Sequence, residues 1–166
     1  VKPRAVFYSY MLAGFMLKSL MLDPNFSEYQ QSINLRRVDD GGSKSTPNSL
    51  FGKVRFVWLH LDPWMREEAP LEFSWRTIRN AKTGATIVAE VAGDSTGVGM
   101  QVTSAHIDEA GVVRHLGEIR TIAEPGARDM TVGGTPREAG SDFEELCLLA
   151  RDEPDKTTYR WFGIEW

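Results

Sequence analysis

Residues 5–22 read AVFYSYMLAGFMLKSLML, and this stretch decides how the rest of the chain must be organised. Wound as a helix it has no polar face, because its few polar residues, Ser9, Lys18 and Ser19, are scattered around the axis. A helix that is apolar all round must be covered on every side, by its own domain, by a partner or by lipid. We expect it to pack within the domain, and contact of 5–22 with a membrane surface is the less favoured alternative.

Downstream of this helix the hydrophobic pattern changes to a period of two. Residues 53–62, KVRFVWLHLD, are apolar on both faces of a strand, and residues 71–80, LEFSWRTIRN, are apolar on one face. Residues 85–92, 98–107 and 112–123 continue with similar spacing, and short turns that contain glycine connect them. The sequence therefore predicts a mainly β (α+β) fold. It is an antiparallel meander of about seven strands, in a sheet, sandwich or barrel, with one apolar N-terminal helix packed on it.

The length of 166 residues fits one domain, which we take to span residues 1–166. Residues 33–38, INLRRV, are predicted to form a short strand. Residues 39–52, DDGGSKSTPNSLFG, are rich in Gly, Ser, Asp, Asn and Pro, a composition that is typical of loops. We therefore expect 39–52 to be a flexible internal loop rather than a linker between domains.

The segment 141–151, SDFEELCLLAR, fits two structures equally well. Ser141 and Glu144 have the spacing of a capping box, which is typical of the start of a helix. As a strand, the same segment would form a hairpin with a final strand at 157–166. The sequence does not decide between the helix and the strand.

Charge and cysteine content exclude some classes of partner. The formal net charge is −4 and the Lys and Arg residues are dispersed, so no nucleic-acid partner is expected, because a nucleic-acid surface needs a basic stripe. The single cysteine, Cys147, excludes a disulfide within the chain and fits an intracellular compartment weakly.

No catalytic residue, metal ligand or cofactor site is assigned from the sequence. The residues DEAG at 108–111 are predicted to close a hairpin, and pairing across it would make His106 and His115 diagonal neighbours on one face. A third ligand is missing, so the two are interpreted as ordinary strand histidines and no metal is predicted. The residues GDSTG at 93–97 are interpreted as a second hairpin turn.

The chain contains five tryptophans, and two of them are difficult to place in a core. Trp64 lies in the turn-like sequence DPWM and Trp166 is the last residue, so both could be exposed anchors for a partner. The interface candidates are Phe7, Met11, Phe15, Trp58, Trp64 and Trp166.

Three functional hypotheses remain open. The first is a non-catalytic protein–protein interaction or self-assembly protein, structural or adaptor in kind, whose partner is itself or another protein subunit. The second is a β-barrel or sandwich that binds a small apolar ligand. In that case the pocket would be lined by Phe56, Trp58, Phe73, Trp75 and Met100. The third is an enzyme whose site is assembled from scattered residues and cannot be read from the sequence.

Overall fold

The computed structural model describes residues 6–41, 48–93, 101–135, 137 and 139–160; of Val6 and Phe7 it describes the backbone only. Within these residues the helices are α1 (Val6–Leu22), α2 (Leu35–Val38), α3 (Leu50–Leu59), α4 (Pro63–Glu68), α5 (Leu116–Ala123) and α6 (Asp142–Asp152). The strands are β1 (Ser27–Ser32), β2 (Leu71–Ser74), β3 (Thr77–Asn80), β4 (Thr86–Val91), β5 (Val102–Ile107) and β6 (Ala127–Val132).

The strands form one mixed, mostly parallel sheet in the order β2-β3-β4-β1-β5-β6. Strand β1 pairs in parallel with both β4 and β5, and β5 pairs in parallel with β6. Among the described strands, antiparallel pairing is confined to β2 with β3 and β3 with β4, at one end of the sheet. The prediction of a mainly β, antiparallel meander was therefore wrong, and the chain has an α/β fold with helices on both faces of the sheet.

The segment 53–62 is the main source of that error, because it lies in a helix. Ser49 begins α3, and its side chain accepts a hydrogen bond from the backbone N–H of Gly52 at 2.9 Å. The buried side chains Leu50 and Val54 follow the helical spacing of four. A nearly continuous apolar run satisfies a period of two and a period of 3.6 alike, so the alternation did not discriminate between them.

Two further predicted strands are also helices. Residues 112–123 contain α5, whose buried Leu116, Ile119 and Ala123 form a helical stripe. Residues 33–38 contain α2, where the Asn34 side chain accepts a hydrogen bond from the backbone N–H of Arg37. The nearby strand is β1, SEYQQS, whose polar sequence carries no hydrophobic signal.

Other predictions are confirmed by these elements. Helix α1 occupies 5–22 almost completely, and β4 and β5 lie within 85–92 and 98–107. The prediction of a single strand at 71–80 was wrong, because the segment is a hairpin of β2 and β3 that turns at Arg76, which has a φ of 67°. The ambiguous segment 141–151 is helical, and the Ser141 hydroxyl accepts a hydrogen bond from the backbone N–H of Glu144 at 3.3 Å.

Some predicted segments fall partly outside the described residues. The loop 39–52 lacks 42–47, the turn 93–97 lacks 94–97, the strand 98–107 lacks 98–100 and the final strand 157–166 lacks 161–166, while the helix 5–22 lacks only its first residue. The end of the first segment belongs to α3, which begins at Leu50. The flexibility of 39–52 stays a prediction.

Helix α1 packs against α3 and the sheet, so the apolar segments 5–22 and 53–62 cover each other. One face of α1 is buried, and its Met11 and Phe15 are 45% and 58% exposed. The first core cluster lies under α1 and α3 and includes Ala13, Met16, Leu17, Leu20, Val54, Ile78 and Ile87. The second lies under α5 and α6 and includes Ile107, Leu116, Ile119 and Phe143. Among the described helices, none has the length and apolar character needed to cross a membrane.

The central strand β1 carries polar side chains into the interior. Glu28 is 5% exposed, and Gln30, Gln31 and Ser32 have no exposed surface. The side-chain amide of Gln30 donates a hydrogen bond to the Glu28 carboxyl group. Burial raises the pKa of Glu28 to about 7, and the hydrogen bond from Gln30 opposes this rise.

Replacing Glu28 by glutamine is expected to stabilise the protein above neutral pH. Because the folded-state pKa is raised, ionisation of Glu28 costs stability progressively as the pH rises from about 4.5 to about 7. This difference corresponds to a penalty of about 3 kcal/mol, which glutamine removes while keeping an acceptor for Gln30. Chemical denaturation at about pH 8 should show the gain, and at about pH 4 the two proteins should be equally stable. The matched control is Glu72→Gln on the exposed face of β2. An equal gain at both pH values would contradict the assignment.

Candidate functional site

The candidate site lies at the carboxyl edge of the parallel strands, between β1 and β5. From β1 the chain leads through α2, α3 and α4 to β2, β3 and β4 on one side, whereas from β5 it leads through α5 to β6 on the other. Neighbouring parallel strands whose connections diverge in this way leave a crevice at their carboxyl ends, where ligands bind in open α/β sheets.

Asp108 is the first residue after β5 and stands in this crevice. Its backbone N–H donates a hydrogen bond to the carbonyl oxygen of Gln31 at 2.8 Å, which fixes it beside the end of β1. Partial burial raises the pKa of Asp108, and the charge of Glu109 acts in the same direction. The backbone N–H of Glu109 and the positive charges of Lys53 and Arg37 act against this rise. Asp108 is thus a partly buried carboxylate within electrostatic range of two cations.

Glu109 follows Asp108 in a strained conformation. Its φ of 58° and ψ of 32° place it in the left-handed region, which residues other than glycine rarely adopt. Such strain costs about 1–3 kcal/mol and is concentrated at functional sites. The residue is half-buried, and its charge is close enough to act on the pKa of Asp108.

Lys53 approaches the crevice from α3. Burial lowers the pKa of its ammonium group, Asp108 and Asp40 oppose this, and Arg37 reinforces it. Lys53 is half-buried and Arg37, on α2, is exposed. Two helices therefore bring cations to the carboxylate that follows β5.

A pair of glycines closes the crevice on the β6 side. Gly133 donates its N–H to the carbonyl oxygen of Ile107 and accepts from the N–H of Ala110, both at 2.9 Å. A Cβ atom at Gly134 would lie 2.7 Å from the backbone nitrogen of Ala110. The turn after β6 is therefore held directly against the Asp108–Glu109 segment, and only glycine allows the backbones to approach so closely.

Tyr8 reaches the same point from the first turn of α1. Its ring lies 6.2 Å from the ring of His106, centroid to centroid. Burial raises the pKa of Tyr8 to about 12, and the charge of Asp108 contributes to the rise. At the other end of α1 the Leu20 carbonyl oxygen accepts a hydrogen bond from the Asn80 side chain, so α1 runs from the carboxyl edge of the parallel strands to their amino edge.

The residues present fit a hydrated Mg²⁺ ion better than a metal held by the protein alone. No cluster of three or more His, Cys, Asp and Glu side chains that could hold a metal occurs in the described part of the chain. Mg²⁺ needs only one or two carboxylates together with water and phosphate oxygens, and Asp108 offers such an oxygen beside cations that suit phosphate.

The interface candidates from the sequence differ in how exposed they are, and their role as an interface stays a prediction. On α1, Met11 and Phe15 are exposed, and Trp64 on α4 is 63% exposed. Trp58 is half-buried, and its indole N–H donates to the Ala69 carbonyl oxygen at 3.2 Å. The side chain of Phe7 and the whole of Trp166 lie outside the described residues.

Three of the pocket candidates, Trp58, Phe73 and Trp75, lie near one another. The rings of Trp58 and Phe73 lie 5.5 Å apart, centroid to centroid, while the ring of Phe56 packs against His60. Trp75 is 59% exposed on the β2–β3 turn, where it lines a shallow cleft with Phe73. Met100 lies outside the described residues.

The predicted proximity of the two histidines was wrong, because no hairpin joins them. His106 is in β5, whereas His115 precedes α5. The same misread turn concealed the site, since Asp108 and Glu109 were assigned to a loop that closes a hairpin. The signal that could have revealed them is a strand, VTSAHI, that is followed directly by two consecutive carboxylates.

No protein-family model matches the sequence, and no curated protein matches it. Solved structures do share the fold. The ATPase domain of the large terminase of Thermus phage P74-26 matches with a TM-score of 0.62 at 11% identity, over 89% of this chain and 61% of that one. The large terminase of bacteriophage HK97 matches with a TM-score of 0.64 at 18% identity, over 92% of this chain and 31% of that one. The chain thus spans less than two thirds of either, and at these identities the likeness shows the fold alone.

The first functional hypothesis is corrected by this comparison. A non-catalytic interaction or self-assembly protein was inferred from the apolar helix, the strand predicted at 53–62, the loop 39–52 and the lack of a visible catalytic motif, whereas the proteins that share the observed fold are named as ATPase domains or terminases. The carrier in a β-barrel or sandwich loses its basis as well, because the described strands form an open, mostly parallel sheet. A partner that is itself or another protein subunit is compatible with the shared fold, and the exclusion of nucleic acid receives no support from it.

Proposed function

We propose that this chain forms part of an ATPase, and that it binds the phosphates of ATP with Mg²⁺ in the crevice at the carboxyl edge of β1 and β5. The observation that carries the proposal is the Asp108–Glu109 pair, which directly follows a central parallel strand where the connections diverge. The fold that the chain shares with a terminase ATPase domain supports the proposal. ATP is proposed as the nucleotide because that neighbour is named as an ATPase domain.

Each residue in the crevice has a role that suits its position. Asp108 would hold the metal ion, which would supply positive charge to neutralise the phosphate oxygens. Lys53 and Arg37 bind the phosphates from the side of α2 and α3. Glu109 accepts a proton from the attacking water. The water oxygen then bonds to the terminal phosphorus, the bond to the leaving oxygen breaks, and ADP and inorganic phosphate are formed.

The orientation of helix α1 also favours the binding of an anion in the crevice. Because α1 begins at the carboxyl edge of the parallel strands, the positive end of its dipole points towards the crevice, where it favours an anion. The sequence contains no G-x-x-x-x-G-K-[ST] motif, so the cations assigned to the phosphates are Lys53 and Arg37.

Replacing Lys53 by alanine tests whether phosphate binds at this crevice. Loss of a charge-assisted contact is expected to weaken Mg²⁺–ATP binding by the intact protein about tenfold, measured by calorimetric titration. Lys82→Ala is the matched control, because Lys82 is exposed and pairs with Glu68 at the opposite edge of the sheet. Unchanged affinity after Lys53→Ala, or an equal loss in the control, would show that phosphate does not bind beside α3.

A further inference from the structure

Tyr8 connects three elements that meet at the crevice. It belongs to α1, its ring packs on His106 of β5, and its hydroxyl end fills the space in front of Gly133 after β6. A Cβ atom at Gly133 would lie 2.9 Å from the Cε1 and Cζ atoms of the tyrosine ring. Any movement of the phenol therefore changes its contact with the turn after β6.

The ring of His106 packs against the phenol ring and is held in place by packing. It is 1% exposed, and neither of its ring nitrogens has a hydrogen-bond partner among the described residues. Gln30 is its register partner on β1, and within the same described part of the chain the Gln30 side-chain oxygen is unpartnered as well. His106 therefore makes no hydrogen bond to the phenol, whose Cε1 and Cζ atoms lie against Gly133.

The turn after β6 is also fixed beside Asp108, the residue proposed to hold the metal. The hydrogen bonds of Gly133 to Ile107 and from Ala110 flank Asp108 and Glu109 on both sides. The phenol, the glycine turn and the backbone that flanks Asp108 thus form one packed unit, called here the Tyr8 junction.

We propose that Tyr8 is a positioning residue of this site: wedged between His106 and Gly133, it sets the placement of Asp108 and transmits the ligand state of Asp108 to the turn after β6 and to α1. This role rests on the proposed function. Tyr8 itself is assigned no contact with the reacting atoms.

The test compares Tyr8→Leu, Gly133→Ala and the double variant in the intact protein. Gly133 is not among the glycines with positive φ, so alanine fits its backbone and acts only by pushing the phenol away. Each single change is expected to raise the Mg²⁺ concentration needed for half-maximal hydrolysis about tenfold, as changes to groups that orient metal ligands do. The double variant should be no worse than either single variant, because leucine leaves room for the added methyl group.

Gly14→Ala is the matched control, because Gly14 is on the same helix and a Cβ atom there would meet nothing within 4 Å. It should leave the Mg²⁺ requirement unchanged. Losses that multiply in the double variant would overturn the proposal, as would equal losses in Gly14→Ala.

A spectroscopic measurement separates this inference from the proposed function. The ¹⁹F resonance of 3-fluorotyrosine at position 8, assigned by its absence in Tyr8→Phe, should move in Asp108→Asn without any nucleotide. If it moves and the wild-type protein does not hydrolyse ATP, the junction exists and the proposed function fails. If it does not move, Tyr8 is not coupled to Asp108 and the inference is wrong.

Discussion

Asp108→Asn is expected to lower Mg²⁺-dependent ATP hydrolysis by the intact protein at least about a hundredfold. Asparagine keeps the shape of the side chain but removes the negative charge that holds the cation at the end of β5. Steady-state release of inorganic phosphate measures the effect, and excess Mg²⁺ should not restore the rate.

The same variant should be at least as stable as the wild type. Because burial raises the pKa of Asp108, its ionised form costs folding free energy at neutral pH, and a neutral amide relieves that cost. Loss of activity with an unchanged or higher melting temperature therefore distinguishes a lost ligand from a damaged fold. Asp155→Asn, at an exposed position after α6, is the control and should keep full activity. Near-normal hydrolysis by Asp108→Asn would show that Asp108 is not part of the site.

Glu109→Gln is expected to lower kcat about 10²–10⁴-fold while leaving the affinity for Mg²⁺–ATP within a few-fold of the wild type. The reason is that Glu109 is assigned the proton of the attacking water and no contact with the nucleotide in the ground state. Single-turnover hydrolysis and nucleotide titration, measured on the same preparation, separate the two effects.

The exposed Glu118, on α5, provides the control for that experiment. Glu118→Gln should hydrolyse ATP at the wild-type rate. If Glu109→Gln loses nucleotide binding and turnover in parallel, Glu109 acts on binding and not on the proton of the water. If it loses neither, Glu109 has no role in hydrolysis.

Elements with strong local signals could be predicted from the sequence. Helix α1 has an apolar run that ends at Asp23-Pro24, and α6 begins with a capping box whose hydrogen bond is present in the structure. The extended segments of β4 and β5 also have a period of two. These features depend only on neighbours along the chain.

The fold class could not be predicted, because it depends on which strands pair. A period of two specifies a strand but neither its partner nor its direction. Glu28 on β1 is the register partner of Ser104 on β5, and the chain between these strands runs through α2, α3, α4, β2, β3 and β4. Parallel pairing over such a long connection leaves no local trace in the sequence.

The site was missed for the same reason. Asp108 and Glu109 resemble turn residues until β5 is known to lie beside β1 in parallel, which turns the end of the strand into one wall of a crevice. Lys53 could not be assigned to the site either, because a predicted strand at 53–62 has no defined position relative to Asp108. In α3 it does have one, since the helix brings its ammonium group close enough to act on the pKa of Asp108.

The proposed site can be seen or ruled out in a crystal structure of the intact protein with Mg²⁺ and a non-hydrolysable ATP analogue. We expect a metal ion on the Asp108 carboxylate and phosphate oxygens within contact of Lys53. A nucleotide bound elsewhere, with Asp108 touching neither metal nor phosphate, would contradict it.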